Sequence, residues 1–459
     1  MQSNKVYFVG IGGIGMAALA RYYLSKGCQV AGYDRAPSAL TQALESEGAI
    51  ISYADSIDAI PDDFRTPGCA LVVYTPAVPD ANVPLSYFRA NSFPVLKRSA
   101  VLGLITKGSQ GICFAGTHGK TTTSSMAAHI LHTAAVGCNA FLGGILRNYG
   151  SNLLLSQTSP YTVIEADEYD RSFHTLSPYI AVVTATDPDH LDIYGTEENY
   201  LESFAHFTEL VRPGGTLLLH EGLKLRPRPQ EGVKVLYYAK ESGDFHADRI
   251  RRGRGTIVFD FVTPDGVVAD VELGVPVEIN IDNAVAAMAA CWLTGSVTAD
   301  DLRRAMATFQ GAERRFQFML KEDPEQGGHV VIDDYAHHPD ELKMSIQSVR
   351  ALYPESKLTV AFQPHLYSRT RDFYREFAEA LSLGDEVVLI DLYPAREEPI
   401  PGVSSKIIFD EVKCGNKTLI SIEDFVNTMK NLNFDVLLAL GAGDLSFELP
   451  ALVDELSKK

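Results

Sequence analysis

The segment Gly116-Thr117-His118-Gly119-Lys120-Thr121-Thr122-Thr123 has the residue types of a phosphate loop. Small residues let backbone N–H groups face phosphate oxygens, the Lys120 ammonium can reach β- and γ-phosphoryl oxygens, and the hydroxyl that follows can bind Mg2+. The common GxxxxGK form would need glycine where Phe114 stands, so the loop is a variant of it. Downstream, Glu165-Ala166-Asp167-Glu168-Tyr169-Asp170 puts four carboxylates into six residues. Such a run is either a solvated acidic turn or, beside a phosphate loop, a place for a divalent cation that relieves the repulsion. Asp187-Pro188-Asp189-His190-Leu191-Asp192 adds an imidazole, which a Mg2+ site tolerates without requiring.

A second glycine loop lies near the N-terminus. Gly10-Ile11-Gly12-Gly13-Ile14-Gly15 satisfies GxGxxG between an apolar strand and a helical pattern, where glycines let backbone N–H groups approach a diphosphate. Asp34 ends the next strand, as a ribose-binding acid does in a dinucleotide fold. Taken alone, this pair also fits an NAD-dependent dehydrogenase, or a tight turn with no ligand.

These residues need strands and helices to hold them, and the chain supplies three alternating α/β blocks. The first has strands expected at Val6 to Val9, Gln29 to Tyr33 and Ala70 to Tyr74, with a helix at Met16 to Leu24 and a linker at Lys107 to Gln110. The second has strands at Ile112 to Ala115, Tyr161 to Ile164 and Tyr179 to Thr184, and a helical stretch after Glu197. An insertion near 217–275 reads as meandering strands, including Ile257 to Val262 and Val267 to Leu273 around the turn Pro264-Asp265-Gly266, and a helix follows at Asn283 to Leu293. After the polar stretch Lys321 to Gly328, strands at His329 to Asp333, Leu358 to Phe362, Glu386 to Ile390 and Asp435 to Leu440 alternate with helices in a doubly wound pattern.

Bulk properties bound the function. A length of 459 residues exceeds what one core fills, so two to four domains are expected, and three fit best. A formal charge of -18 excludes a general nucleic-acid surface, so an anionic ligand must meet a local exception such as a glycine loop or a bound cation. Cys28, Cys69, Cys113, Cys138, Cys291 and Cys414 form no CxxC pair and fit free thiols in a reducing compartment. The N-terminus runs into a strand without a basic leader and no apolar run reaches about 18 residues, so neither a signal peptide nor a membrane span is expected.

GIGGIGM, AGTHGKTTT and EADE followed by DPDH together resemble the Mur ligase family. Further matches are Glu313-Arg314-Arg315-Phe316, DDYAHHPDE at 333–341, FQPHLYSRTRD at 362–372, PIPGVSS at 399–405 and GAGDL at 441–445. The resemblance spans nearly the whole chain and is strongest to the branch that adds L-alanine. It implies an α/β protein of three domains. These are a Rossmann-like UDP-substrate domain over 1–107, a P-loop ATPase domain over 108–318 and a Rossmann-like amino-acid domain over 319–459.

The implied activity is ATP-dependent joining of L-alanine to the lactyl carboxylate of UDP-N-acetylmuramate through an acyl phosphate, with Mg2+ or Mn2+, in the cytoplasm. The partners are small molecules, neither nucleic acid nor membrane, and the enzyme is a monomer or homodimer. By the same resemblance Gly12, Gly13, Ile14 and Gly15 hold the UDP diphosphate with Asp34 near the uridine. Gly116 to Thr122 and Arg315 face the ATP phosphates, Asn280 and Asn283 lie near the adenine, and Asp334 contacts ATP. Thr121, Glu165 and His190 bind the metal, and Tyr335, His337, His365 and Arg369 stand where amino acid and muramyl carboxylate meet. Lys120, Arg315, Arg369 and His337 are the expected catalytic groups, His337 as the base that frees the amine, because imidazole titrates near working pH.

The chain departs from the family in having Leu366 where Arg is frequent and Ile279-Asn280 where His-Asn is frequent. Residues 191–211 contain no lysine, so the carbamylated lysine of several sister ligases has no counterpart. Two other functions stay open: a ligase that attaches a ready-made tripeptide to the same sugar nucleotide in cell-wall recycling, and a nucleotide-binding regulator without turnover.

Overall fold

A computed structural model describes residues 4–188, 191–253, 255–395 and 397–458. The first sheet contains β1 (Lys5–Val9), β2 (Gln29–Tyr33), β3 (Ile50–Ser52), β4 (Leu71–Tyr74) and β5 (Val95–Lys97), all parallel, in the order β3-β2-β1-β4-β5. Val6 to Val9 are wholly buried, as a parallel strand covered by helices on both faces must be. Helices α1 (Ile14–Ser25), α2 (Ala39–Ser46), α3 (Val83–Ala90) and α4 (Arg98–Lys107) cover it. The strand order reverses between β1 and β4, so the glycine loop opens at a topological switch point.

The second sheet is built on β6 (Gln110–Ala115), β7 (Asn139–Leu146), β8 (Ser151–Leu154), β9 (Tyr161–Glu165), β10 (Ile180–Val183), β11 (Thr216–His220) and β12 (Lys234–Tyr238), in the order β12-β11-β10-β6-β9-β7-β8. Only β8 runs antiparallel to its neighbour. Its helices are α5 (Lys120–Thr133), α6 (Leu191–Tyr194), α7 (Glu197–Glu209), α8 (Ile279–Trp292) and α9 (Ala299–Thr308). The meander is shorter than expected from sequence. Residues 216–220 and 234–238 extend the parallel sheet, and only β13 (His246–Gly253), β14 (Thr256–Thr263) and β15 (Gly266–Glu272) form the separate antiparallel sheet. Gly266, with φ 151, closes the β14–β15 hairpin.

The third sheet has β16 (Gln317–Lys321), β17 (Val330–Asp334), β18 (Leu358–Phe362), β19 (Glu386–Ile390), β20 (Asn416–Ile420) and β21 (Val436–Leu440), in the order β16-β17-β21-β18-β19-β20. Only β16 is antiparallel, and it begins at Gln317, so this sheet takes in residues on both sides of the 318/319 division. Helices α10 (Pro339–Leu352), α11 (Tyr367–Leu381), α12 (Ser405–Glu411), α13 (Phe425–Asn431) and α14 (Leu445–Leu456) pack on it. One apolar core runs from Ile112 and Val163 under the second sheet to Val330 and Val360 under the third, while Val6 and Phe8 share a core with Cys113 and Ile164. Tyr22 of α1 meets Phe141 of β7 with ring centroids 5.5 Å apart. Among the described residues no helix is long and apolar enough to cross a membrane.

Candidate active site

The phosphate loop joins β6, the strand next to the switch point of the second sheet, to α5. Its first glycine, Gly116, has φ 143, and a Cβ there would lie 2.1 Å from Thr184 Oγ1. Gly119, with φ 82, would place a Cβ 2.7 Å from Asn283 Oδ1. Only glycine fits both positions. Asn283 accepts a hydrogen bond from Thr123 Oγ1 at 3.1 Å and donates to Asn280 Oδ1 at 3.1 Å, which joins the start of α8 to the loop.

A cavity of about 340 Å³ opens between the second and third sheets. Thr117, His118, Gly119, Lys120, Thr121 and Thr122 line one wall with Glu165, Asn280 and Asn283, and Arg315 and Asp334 line the other. These residues come from five separate stretches of chain. Of the nucleotide-facing set expected from sequence, only Gly116 is not on the wall, because it is packed against Thr184 and Ala185. Val275, Val277, Ile279 and Met344 give one end of the cavity an apolar lining.

Lys120 Nζ donates to Glu168 Oε1 at 2.8 Å and also to the Gly116 carbonyl. Glu168 is 1% exposed, and burial pushes its carboxyl upward while the Lys120 charge and hydrogen bond oppose that. Thr121 Oγ1 donates to Glu165 Oε1 at 3.0 Å, and Glu165 Oε2 accepts the Gly143 N–H at 2.9 Å. Burial also raises the Glu165 carboxyl, and Thr121, Lys120 and Gly143 offset only part of it. A hydroxyl and a carboxylate with uncompensated charge, side by side at the mouth of a phosphate loop, are donors suited to a hard cation such as Mg2+. The third expected ligand, His190, lies outside the described residues, and among those described no three His, Cys, Asp or Glu side chains cluster as a metal site.

Tyr335, His337, His365 and Arg369 gather at the C-terminal ends of β17 and β18, beyond the walls of this cavity. The Tyr335 and His337 rings are 5.2 Å apart, and His337 and His365 are 6.4 Å apart. His337 Nδ1 is 3.0 Å from the Tyr335 carbonyl, which can only accept, so Nδ1 carries the proton and Nε2 keeps a free lone pair. Burial lowers the His337 imidazole, helped by Arg369 and Arg315 and opposed by Glu341, and burial and Arg369 lower His365 too. Asp334 is buried at the cavity wall, its carboxyl raised by burial and bonded by Ser345 Oγ.

In the N-terminal glycine loop Asp34 Oδ2 accepts the Gly12 N–H at 2.7 Å, so this acid closes the loop itself. A Cβ on Gly15 would lie 2.9 Å from Arg98 Nη1, so that glycine makes room for a guanidinium. The first turn of α1 has no side-chain cap and no acid, which leaves the Ile14 and Gly15 N–H groups open to an anion beside Arg98, while the Met16 N–H is taken by the Gly13 carbonyl at 2.9 Å. Arg98 also lines a small cleft with Glu165 and Asp167.

Two residues of this region, Arg98 and Tyr393, have no signature in the sequence, and two more, Glu341 and Glu168, stand in motifs that do not show their partners. Arg98 comes to the loop from the start of α4 and has no local signature. Glu341 accepts the His337 and His338 N–H groups at 2.9 and 3.1 Å and so caps α10, which its position in DDYAHHPDE could have signalled. Tyr393 stacks on His365 at 5.8 Å and 14° and takes the Leu366 N–H at 3.0 Å, holding Leu366 at φ 72. Glu168 was visible in the acidic run, but its pairing with Lys120 was not.

Residues 5–110 match a model described as Mur ligase family, catalytic domain, residues 114–291 match the Mur ligase middle domain, and residues 314–443 match the Mur ligase, glutamate ligase domain. The chain is 57% identical over 457 residues to a UDP-N-acetylmuramate–L-alanine ligase of Phocaeicola vulgatus, covering 99% of each. It is 58% identical over 449 residues to the protein of that description from Parabacteroides distasonis, covering 97% of this chain and 96% of the relative. A crystal structure of a UDP-N-acetylmuramate-alanine ligase from Thermotoga maritima superposes with a TM-score of 0.76 at 28% identity, covering 99% of both chains.

Proposed function

The chain belongs to the Mur ligase family, and from that premise we propose that it joins L-alanine to the lactyl carboxylate of UDP-N-acetylmuramate, using ATP and releasing ADP and phosphate, in cytoplasmic peptidoglycan precursor synthesis. The observation that carries this is the seam cavity, where Lys120, Thr121 and Glu165 face Arg315 and Asp334.

A carboxylate is a poor electrophile because its leaving group would be oxide, so it must first be activated. The lactyl carboxylate attacks the γ-phosphoryl group of ATP, giving an acyl phosphate, while Lys120 and Arg315 oppose the charge that spreads over the phosphoryl oxygens. Thr121, Glu165 and His190 would hold Mg2+ or Mn2+, which when bound neutralises phosphate charge as a Lewis acid. The amine of L-alanine must then attack as free base. Nε2 of His337 takes the ammonium proton, its lowered pKa keeping it neutral at pH 7, and Arg369 pairs with a substrate carboxylate. Expulsion of phosphate leaves the amide. The free N–H groups at the start of α1, with Arg98, take the UDP diphosphate. Ile279 and Met344 cover the base of ATP. Three domains divide this work, the second handing over to the third between Glu313 and the start of β16 at Gln317, and one chain supplies every group named, so a monomer or a homodimer suffices.

Phosphate release is expected only when UDP-N-acetylmuramate and L-alanine are both present with ATP. Release that requires a tripeptide in place of L-alanine would assign the recycling reaction instead, and no release under any combination would leave a regulator.

A further inference from the structure

The chain passes from the second sheet to the third around Glu313 and Arg314. Up to Glu313 the connecting chain is fastened to the β7–β8 hairpin. Arg147 N donates to Gly311 O at 3.0 Å, Glu313 N donates to Ile145 O at 2.9 Å, and Asn148 Nδ2 donates to Thr308 O at 2.8 Å. Leu146 and Ala312 also form an isolated β-bridge. From Arg314 onward the ties go mainly to the third sheet and its loops, although Arg315 N still donates to Ala312 O and Lys321 Nζ to Gly255 O, each at 3.2 Å. The Arg314 carbonyl accepts the Tyr335 N–H at 2.8 Å, and Arg314 N donates to Gln317 Oε1 at 3.0 Å. Its guanidinium donates to the carbonyls of Gly441 and Gly443 at 2.9 and 3.1 Å and lies 4.7 Å from the Tyr335 ring centre.

Two non-glycine residues here are in the left-handed region, Arg314 at φ 57 and Phe316 at φ 46, and Arg315 stands between them. Such conformations persist only where the surroundings over-determine them. Arg315 alone of the two arginines lines the cavity, and it also lies over Tyr335, at 5.6 Å. Gly441 and Gly443 sit where β21 ends between β17 and β18. A Cβ on Gly443 would meet Gln363 Oε1 at 2.2 Å and Tyr393 Cβ at 3.0 Å, so this loop touches the wall that carries His365.

Resting on the ligase reading above, we propose that Glu313–Arg314 is the hinge of the seam and that Arg314 is a positioning residue. It ties the Gly441–Gly443 loop of the amino-acid crevice to the backbone that aims Arg315 at the transferring phosphoryl group. Arg314 touches no substrate. Placement of the C-terminal loops is thereby read out as placement of Arg315.

The test uses the full chain with Arg314→Gly, which keeps the left-handed backbone without strain but removes the guanidinium, and Arg314→Lys, which keeps one cationic donor. Phosphate release with ATP, UDP-N-acetylmuramate and L-alanine should show kcat lowered about 100-fold in Arg314→Gly with KM for ATP within about twofold, and an intermediate kcat in Arg314→Lys. Hydrogen exchange is the second readout, independent of turnover: segments 313–317 and 436–445 should exchange faster together in Arg314→Gly. Unchanged kcat in a wild-type background that turns over, or faster exchange at 313–317 alone, would overturn the proposal. If Arg314→Gly does not fold, Arg314→Lys decides on the same readouts. Failure of the wild type to release phosphate would sink the ligase reading, while the exchange result would still decide the hinge.

Discussion

Lys120 Nζ lies 2.8 Å from Glu168 Oε1, while the other oxygen of that carboxylate is buried with no hydrogen-bond partner among the described residues. A buried carboxylate satisfied on one side only is held in place chiefly by the ammonium it faces. An arriving phosphate group must therefore compete with Glu168 for Lys120.

Glu168→Gln removes that competition, keeps the side-chain shape and frees the full ammonium for phosphate. Binding of ADP without divalent metal is expected to tighten roughly tenfold, which corresponds to about 1.4 kcal/mol. Weaker ADP binding in calorimetry would mean that Glu168 serves to hold Lys120 in its working position.

Glu165→Gln should act on the metal and spare the metal-free nucleotide. Glutamine keeps one acceptor oxygen for the two donors, Thr121 Oγ1 and the Gly143 N–H, and offers a cation no charge. The Mg2+ concentration for half-maximal phosphate release should rise about tenfold or more. An unchanged Mg2+ titration would remove Glu165 from the metal shell.

His337→Ala should lower kcat by about 100-fold to 10,000-fold with little change in KM for ATP, the span typical of a positioned general base. Burial lowers the imidazole below its ordinary value, so the neutral form persists well below neutral pH. The acid limb of kcat is accordingly expected below pH 6.5, and a limb at or above that value would point to another group.

Asp333 sets a pH dependence of stability. Burial raises its carboxyl from 3.8 to about 6, against the pull of Arg314. The folded protein thus holds this proton more tightly than the unfolded chain. That contribution is full below about pH 4 and is lost as the pH rises through about 6. Asp333→Asn stays neutral and should be more stable than the wild type at pH 8, by up to about 3 kcal/mol, with the two converging near pH 4. Thermal melts at the two pH values measure this, and equal differences at both would exclude it.

Much of the molecule was legible along the chain. The phosphate loop, the acidic run after β9, the strands Gln29–Tyr33, Leu358–Phe362 and Glu386–Ile390, and the three α/β blocks follow from spacing and periodicity, because a turn or a strand is specified by residues a few positions apart. Strands of three residues such as Ile50–Ser52 and Val95–Lys97 are too short to show a period. The parallel strands Thr216–His220 and Lys234–Tyr238 read as part of the meander because a short apolar run does not announce which sheet it joins. The joining of Lys120 to Glu168, of Gly15 to Arg98, of His365 to Tyr393 and of Arg314 to Gly441 was decided only by tertiary structure. These partners lie 28 to 127 positions apart by the numbering, so no local pattern couples them, and packing of sheet ends and loop closure bring them together.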